Sequence, residues 1–235
     1  MGELVALIPA AGQSRRMAAG INKQYLTLDN KPVLYYSLAA LLACGIKTAV
    51  VVVAPGEEGL CRREVLQPYG LDSKVQLVAG GARRQDSVYN GLLALPPETG
   101  FVVVHDGARP LVSPREVAAA IAAARDFGAA AVGVPVKNTI KVVDDRGFVL
   151  ETPPREHLRA VQTPQVFSYK LLLEAHQSAI AGGYAGTDDA SLVERLGRPV
   201  KVVPGSYRNI KVTTPEDLNI AAELLKVPVA GAGDG

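Results

Sequence analysis

Five short apolar runs, at residues 4–8, 48–54, 75–79, 101–105 and 129–135, punctuate the chain, and the stretches between them carry apolar residues at helical spacing. Runs apolar at nearly every position, rather than at alternate ones, suit strands covered on both faces. Their alternation with helices predicts an α/β fold: a mostly parallel, Rossmann-like sheet with helices on both sides. Two helix starts are well marked. Ser113-Pro114-Arg115-Glu116 supplies an N-cap, a first-turn proline and a capping-box acid, and Thr214-Pro215-Glu216-Asp217 offers much the same.

Residues 139–144 and 148–152 break this rhythm, reading as two strands about the turn Asp145-Arg146-Gly147. A hairpin does not belong inside a doubly wound sheet. The insertion at about 137–161 is therefore expected to protrude as a β-arm, its apolar Ile140, Val142, Phe148 and Leu150 covered by a second subunit, or to lie as an edge hairpin on its own domain. Residues 1–226 otherwise read as a single domain, and the Gly- and Ala-rich 227–235 as a frayed tail.

Composition narrows the function classes. The 235 residues are 48% hydrophobic and 20% charged, enough apolar material for one well-buried domain. A net charge of +2 gives no general basic face for nucleic acid or a membrane surface. No apolar run approaches the roughly 18–20 residues of a membrane span. Cys44 and Cys61 form no C-x-x-C pair, which argues against a disulfide framework or zinc knuckle and fits a reducing, cytoplasmic setting; the start of the chain shows no basic region or cleavage site of a signal peptide. His105, His157 and His176 share no ligand spacing, and no G-x-S-x-G elbow supports a serine hydrolase.

The chemistry concentrates after the first strand, in Pro9-Ala10-Ala11-Gly12 and the residues that follow. Small residues let the backbone approach a ligand, and successive N–H groups in such a turn can cradle an anion. Neither the dinucleotide fingerprint nor the P-loop pattern fits this stretch. Beyond it stand Arg16 and Lys23, a pair that in isolation reads as solvated surface charge. Their purpose sharpens if a phosphate must meet a nucleoside triphosphate, because each close pair of like charges costs about 4 kcal/mol at roughly 4 Å and an effective dielectric near 20. Gly80-Gly81-Ala82 ahead of the helix holding Ser87 offers helix-start N–H groups and one hydroxyl, suited to the edge of a small pyrimidine or simply to a strand-to-helix turn.

The segments PAAGQSRRM (9–17), NKQY (22–25), GGARRQDSV (80–88), VHDGARP (104–110), PVKNTIK (135–141), TPQVF (163–167), TDDAS (187–191) and NIKVTTPEDL (209–218) together resemble the 2-C-methyl-D-erythritol 4-phosphate cytidylyltransferase family. The resemblance implies transfer of CMP from CTP to a small polyol phosphate, with magnesium as the cofactor and a homodimer joined through the β-arm. It makes Arg16, Lys23, Arg155 and Lys211 the catalytic cations, the first two at the α-phosphate and the others on the attacking phosphate. It assigns Pro9, Ala10, Ala11, Gly12, Gly81, Ala82, Ser87 and Asp106 to CTP, and Asp106, Arg109, Thr139, Arg155, Thr187 and Lys211 to the polyol phosphate. Arg155 would then reach the neighbouring subunit's site. Asp106 is a candidate metal ligand, the remaining ligands being CTP phosphates and water.

Three positions depart from the family pattern. Ser14 stands where Gly is frequent, Asn22 where Pro is usual, and Arg83 where an acid is common, which leaves the role of Arg84 open. Ribitol 5-phosphate cytidylyltransferases share most of these motifs and are an alternative. An idle nucleotidyltransferase fold acting as a binding module is another, although a binder has no need to keep cations for a transition state.

Overall fold

In the computed structural model, which describes residues 2–12 and 22–227, the chain runs β1 (Glu3–Pro9), a small hairpin of β2 (Thr27–Leu28) and β3 (Lys31–Pro32), α1 (Val33–Ala43), β4 (Thr48–Val53), the short α2 (Glu58–Cys61), β5 (Val75–Ala79), α3 (Arg84–Leu93) and β6 (Thr99–Val104). It continues through α4 (Pro114–Phe127), β7 (Ala129–Pro135), β8 (Val142–Val143), β9 (Val149–Glu151), β10 (Arg159–Ser168), α5 (Tyr169–Ala181), α6 (Asp189–Arg195), β11 (Lys201–Pro204) and α7 (Pro215–Lys226). Seven strands form one sheet in the order β11-β7-β10-β6-β1-β4-β5. All neighbours are parallel except β10, which runs antiparallel to both β6 and β7.

The apolar runs are continuous because both sheet faces are covered. Along β1, Ala6 and Ile8 face one core with Leu34, Leu38 and Leu41 of α1 and Val117 and Ala120 of α4. Val5 and Leu7 face the other, with Val88 and Leu92 of α3, Leu172 and Ala175 of α5, and Leu192 of α6. Each fully buried leucine contributes roughly 1.5–3 kcal/mol over an exposed one. No helix among the described residues is long and apolar enough to cross a membrane.

The marked helix starts also fix the loops of the site. Ser113 Oγ accepts from the Glu116 N–H at 3.3 Å while Glu116 Oε2 accepts from the Ser113 N–H at 2.9 Å, the reciprocal bonds of a capping box. The other oxygen of buried Glu116 accepts from the Ser206 N–H at 2.9 Å, which ties the cap of α4 to the segment leading into α7. Asn209, fully buried, donates to the Thr163 carbonyl at 2.8 Å, and Val212 N–H donates to the Ala108 carbonyl at 2.8 Å. These bonds bring residues 206–212 against the loop after β6.

The predicted hairpin is present as β8 and β9, shorter than its sequence pattern and paired only with each other. Asp144 organises its turn by accepting from the N–H groups of Arg146 and Phe148, and Gly147 takes a φ of 83°. Ile140, Val142, Phe148 and Leu150 are all exposed, Phe148 at 61% and Leu150 at 67%, so their own domain does not cover them.

Candidate active site

The chain passes from β1 outward to β4 and β5, then returns to place β6 on the other side of β1. That reversal opens a crevice at the carboxyl ends of the strands, where open α/β sheets collect ligands. A cleft of about 760 Å³ lies there. Its walls come from the end of β1 and the loop after it (Pro9, Ala11, Gly12), the loop after β4 (Ala54, Pro55), the turn from β5 into α3 (Gly80 to Arg84, with Ser87) and the loop after β6 (Asp106, Gly107, Ala108). Lys23, Gln24 and Lys211 complete it.

Close packing explains the small residues. A Cβ on Gly80 would stand 2.4 Å from the Ala11 Cβ and 2.9 Å from Ser87 Oγ, and one on Gly81 would stand 2.5 Å from the Asp86 Cβ. The first and third loops therefore touch only because glycine and alanine meet there. Ser87 Oγ accepts from the Gly81 N–H and donates to the Arg83 carbonyl, both at 3.1 Å. Its proton is thus committed within the turn, and what it can still offer a ligand is an acceptor.

Asp106 is the electrostatic centre. Lys211 Nζ lies 2.8 Å from its Oδ2, Arg109 Nε 3.5 Å from the same oxygen, and Arg84 Nε 3.3 Å from Oδ1. Burial works to raise the Asp106 pKa, but Arg84 and Lys211 outweigh it and hold the carboxyl well below the usual range, so it is ionised. Arg84 also donates to Asp189 Oδ2 at 2.8 Å. Burial pulls the Arg84 pKa down, yet the two carboxylates carry it up overall, and its charge is permanent. Three cations thus stand against the carboxylates of Asp106 and Asp189, leaving the wall positive and suited to an anion.

Lys23 opens a short 3-10 turn whose entry is held by Asn22, which donates through Nδ2 to Glu57 Oε2 at 3.2 Å and to the Ala10 carbonyl at 3.5 Å. Asn22 has a φ of −64°, the value proline would impose. Side-chain bonds thus accompany a proline-like backbone at one of the positions where the sequence departs from the pattern it resembles.

The IspD family model, 2-C-methyl-D-erythritol 4-phosphate cytidylyltransferase, matches residues 4–227. The chain belongs to this family. It is 53% identical over 227 residues to the 2-C-methyl-D-erythritol 4-phosphate cytidylyltransferase of Pelotomaculum thermopropionicum, with 96% of this chain and 95% of that protein covered. The crystal structure of 4-diphosphocytidyl-2C-methyl-D-erythritol synthase from Anaerococcus prevotii matches with a TM-score of 0.85 at 32% identity, covering 96% of this chain and 99% of that one. The 2-C-methyl-D-erythritol 4-phosphate cytidylyltransferase of Thermus thermophilus matches with a TM-score of 0.80 at 38% identity, covering 96% and 100%.

Set against the residues that membership of the cytidylyltransferase family points to, the cleft collects Pro9, Ala11, Gly12, Lys23, Gly81, Ala82, Ser87, Asp106 and Lys211. Arg16 and Ser14 lie outside the described residues. Ala10 belongs beneath the loop and not on the cleft surface: it is buried, and its N–H donates to the Val52 carbonyl at 2.7 Å, so it has no amide to give a phosphate. Arg109 does not line this cleft: its guanidinium lies beside Asp106, 12% exposed, and donates to the Asn209 carbonyl at 2.7 Å. Thr139 and Arg155 are exposed on the arm, Arg155 donating to the Lys137 carbonyl at 2.8 Å, and neither lines the cleft of its own chain. Thr187 is exposed ahead of α6 and also off the cleft, while Asp188 caps that helix by accepting from the Ser191 N–H at 2.9 Å.

Sequence reasoning missed Gln24, Asp189 and the inward half of Arg84's contacts. A signal for Asp189 existed: it shares a face of α6 with Leu192 and Val193 at helical spacing, and that face is buried.

His105, immediately before Asp106, is fully buried between two fixed partners. The Thr163 hydroxyl accepts from the Asp106 N–H at 3.0 Å and donates to His105 Nδ1 at 3.0 Å, which leaves Nε2–H to donate to the Arg109 carbonyl at 3.1 Å. The neutral ring is thus locked, and burial pushes its pKa down to about 4. A base with a folded pKa below its unfolded value near 6.5 contributes stability that is present above that value and lost as pH falls through the folded one. Between pH 7 and 5 the chain is expected to lose about 2 kcal/mol on this account. Urea unfolding at the two pH values checks it, and His105→Gln should at least halve the loss; an undiminished loss in that variant would remove His105 as its source.

Proposed function

We propose that the chain transfers CMP from CTP to 2-C-methyl-D-erythritol 4-phosphate, releasing pyrophosphate and forming 4-diphosphocytidyl-2-C-methyl-D-erythritol. The observation that carries this reading is the convergence of Lys23, Arg84, Lys211 and ionised Asp106 on one crevice whose loops are those of the cytidylyltransferase family.

The chemistry is charge management. An oxygen of the polyol phosphate attacks the α-phosphorus of CTP, the bond from that phosphorus to the bridging oxygen breaks, and pyrophosphate departs. The nucleophile is already ionised at neutral pH, so no base and no covalent enzyme intermediate is needed, and positioning with charge neutralisation suffices. Lys23, with Arg16 from the neighbouring segment, is assigned to the α-phosphate, and Lys211 to the attacking phosphate. Asp106 accepts from sugar hydroxyls. Ser87, with only an acceptor left, suits the exocyclic amino group that distinguishes cytosine from uracil.

The donor set bears on magnesium. Among the described residues no group of three His, Cys, Asp or Glu side chains could hold a metal ion, and Asp106 already meets three cations. This suits an ion held mainly by triphosphate oxygens and water, as magnesium ordinarily is, with Asp106 as the nearby protein carboxylate. The bound ion would offset triphosphate charge. Chelation with EDTA is expected to lower turnover at least about 100-fold, about 2.7 kcal/mol or more of lost charge stabilisation, with recovery on excess magnesium. Turnover indifferent to the chelator would count against the cofactor.

The arm supports a homodimer. Besides Ile140, Val142, Phe148 and Leu150, it exposes Val143, Val149 and Val161, a concentration of apolar surface that a partner copy would bury. Such a dimer would carry Arg155 and Thr139 toward the partner's cleft. The two free cysteines fit a cytoplasmic setting.

The deciding assay supplies CTP and magnesium with methylerythritol phosphate or with ribitol 5-phosphate and follows pyrophosphate. Release with the first alone is expected. Release with ribitol 5-phosphate alone would reassign the acceptor, and release with neither would leave a binding module.

A further inference from the structure

Behind the cleft, a line of polar and charged groups runs into the core that the proposed chemistry does not use. His176 of α5 and Asp189 of α6 are fully buried. His176 Nε2 lies 3.1 Å from Asp189 Oδ1, and since a carboxylate only accepts, that nitrogen carries the proton. Asp189 Oδ2 accepts from Arg84 Nη1 at 2.8 Å, and Arg84 Nε reaches forward to Asp106 Oδ1 at 3.3 Å. One guanidinium therefore spans a carboxylate in the core and a carboxylate in the cleft, where Arg84 itself is 30% exposed.

A helix-capping role does not account for Asp189, because Asp188 already caps α6. The unequal distances are informative. Charge-assisted bonds settle near 2.7–2.9 Å, as Arg84 does on Asp189, whereas its contact with Asp106 is stretched. Left alone with Asp106, the planar fork of Arg84 would close on it with two parallel bonds and take up the oxygens a ligand hydroxyl needs.

We infer that Asp189, steadied by His176 behind it, is a positioning residue for the nucleotide: it draws Arg84 back so that both the guanidinium edge and an Asp106 oxygen remain open to CTP. The inference rests on the cytidylyltransferase reading and acts entirely through Arg84. It predicts non-additivity, since removing Asp189 should matter only while Arg84 is present to be misplaced.

Calorimetric titration of CTP into the wild-type chain, Asp189→Asn, Arg84→Met and the double variant tests it. Each single change is expected to weaken binding at least tenfold, and the double variant to match Arg84→Met within about twofold. A loss from Asp189→Asn that persists undiminished in the Arg84→Met background overturns the inference, as does no loss at all. Should Asp189→Asn fail to fold, Arg84→Lys keeps the charge but cannot span both carboxylates; tenfold weaker binding is again expected, and wild-type affinity overturns the inference. A wild-type chain that binds no CTP removes the cytidylyltransferase reading itself, and this inference with it.

Discussion

Truncating Lys23 to alanine is expected to lower turnover of CTP with methylerythritol phosphate about 10²–10³-fold while the thermal midpoint moves only a few degrees, the size of loss seen when one preorganised transition-state contact is removed. The reacting groups are a phosphate and a triphosphate, and their repulsion grows as the α-phosphorus becomes five-coordinate. Neutral N–H groups from the Ala11 and Gly12 turn cannot supply an ionic counterweight, and Arg84, Arg109 and Lys211 are gathered around Asp106 on one side of the site. Lys23 stands on a different wall, on a turn held by the Asn22 bonds to Glu57 and the Ala10 carbonyl. Its ammonium is therefore placed to meet charge that develops during the step, and its loss should fall on kcat more than on the KM for CTP. Pyrophosphate release and a thermal melt on the same preparation check both halves. Turnover within about threefold of wild type would remove Lys23 from the mechanism.

The parts of this molecule that repeat a simple physical rule were legible in the sequence, and the parts that depend on one distant partner were not. The five apolar runs became β1, β4, β5, β6 and β7 because burial on both faces demands apolar residues throughout. β10 lies inside the same sheet, between β7 and β6, yet escaped, since its middle reads Gln162-Thr163-Pro164-Gln165. Those polar side chains are buried and have work elsewhere: Thr163 locks His105, and Gln165 bonds both Asp188 and the Ala190 N–H. The site was dividing what would otherwise have been a hydrophobic strand.

Adjacent charges tell the same story. Arg83 and Arg84 are equivalent by composition, but Arg83 turns outward to pair with Asp86 at 2.7 Å while Arg84 turns inward to Asp189, 105 residues away. No local pattern distinguishes them. Lys211 was reached by resemblance to the family, and its delivery rests on Asn209, Val212 and Glu116 fastening residues 206–212 against the loops after β6 and within β10.

Mixing Arg155→Ala subunits with Lys23→Ala subunits should restore activity that neither variant has alone, to about a quarter of the wild-type level when equal amounts exchange freely in a twofold-symmetric dimer. Arg155 lies on the exposed stretch after β9, and among the described residues nothing from the arm lines the cleft of its own chain. If this guanidinium serves a polyol phosphate across an interface, as proposed, the uncovered Phe148 and Leu150 beside it are the surface such an interface would bury. In a hybrid dimer one cleft then combines an intact Lys23 with an intact Arg155 from the partner, while the other cleft carries both lesions. Half of the dimers are hybrids at statistical exchange, and half of their sites work, which gives the quarter. Were each arm instead to fold back on its own cleft, every subunit would keep its single lesion and the mixture would stay as inactive as its parts. Subunit exchange is verified independently with differently tagged copies, so that an inactive mixture in which hybrids are demonstrably present places Arg155 outside the partner's site.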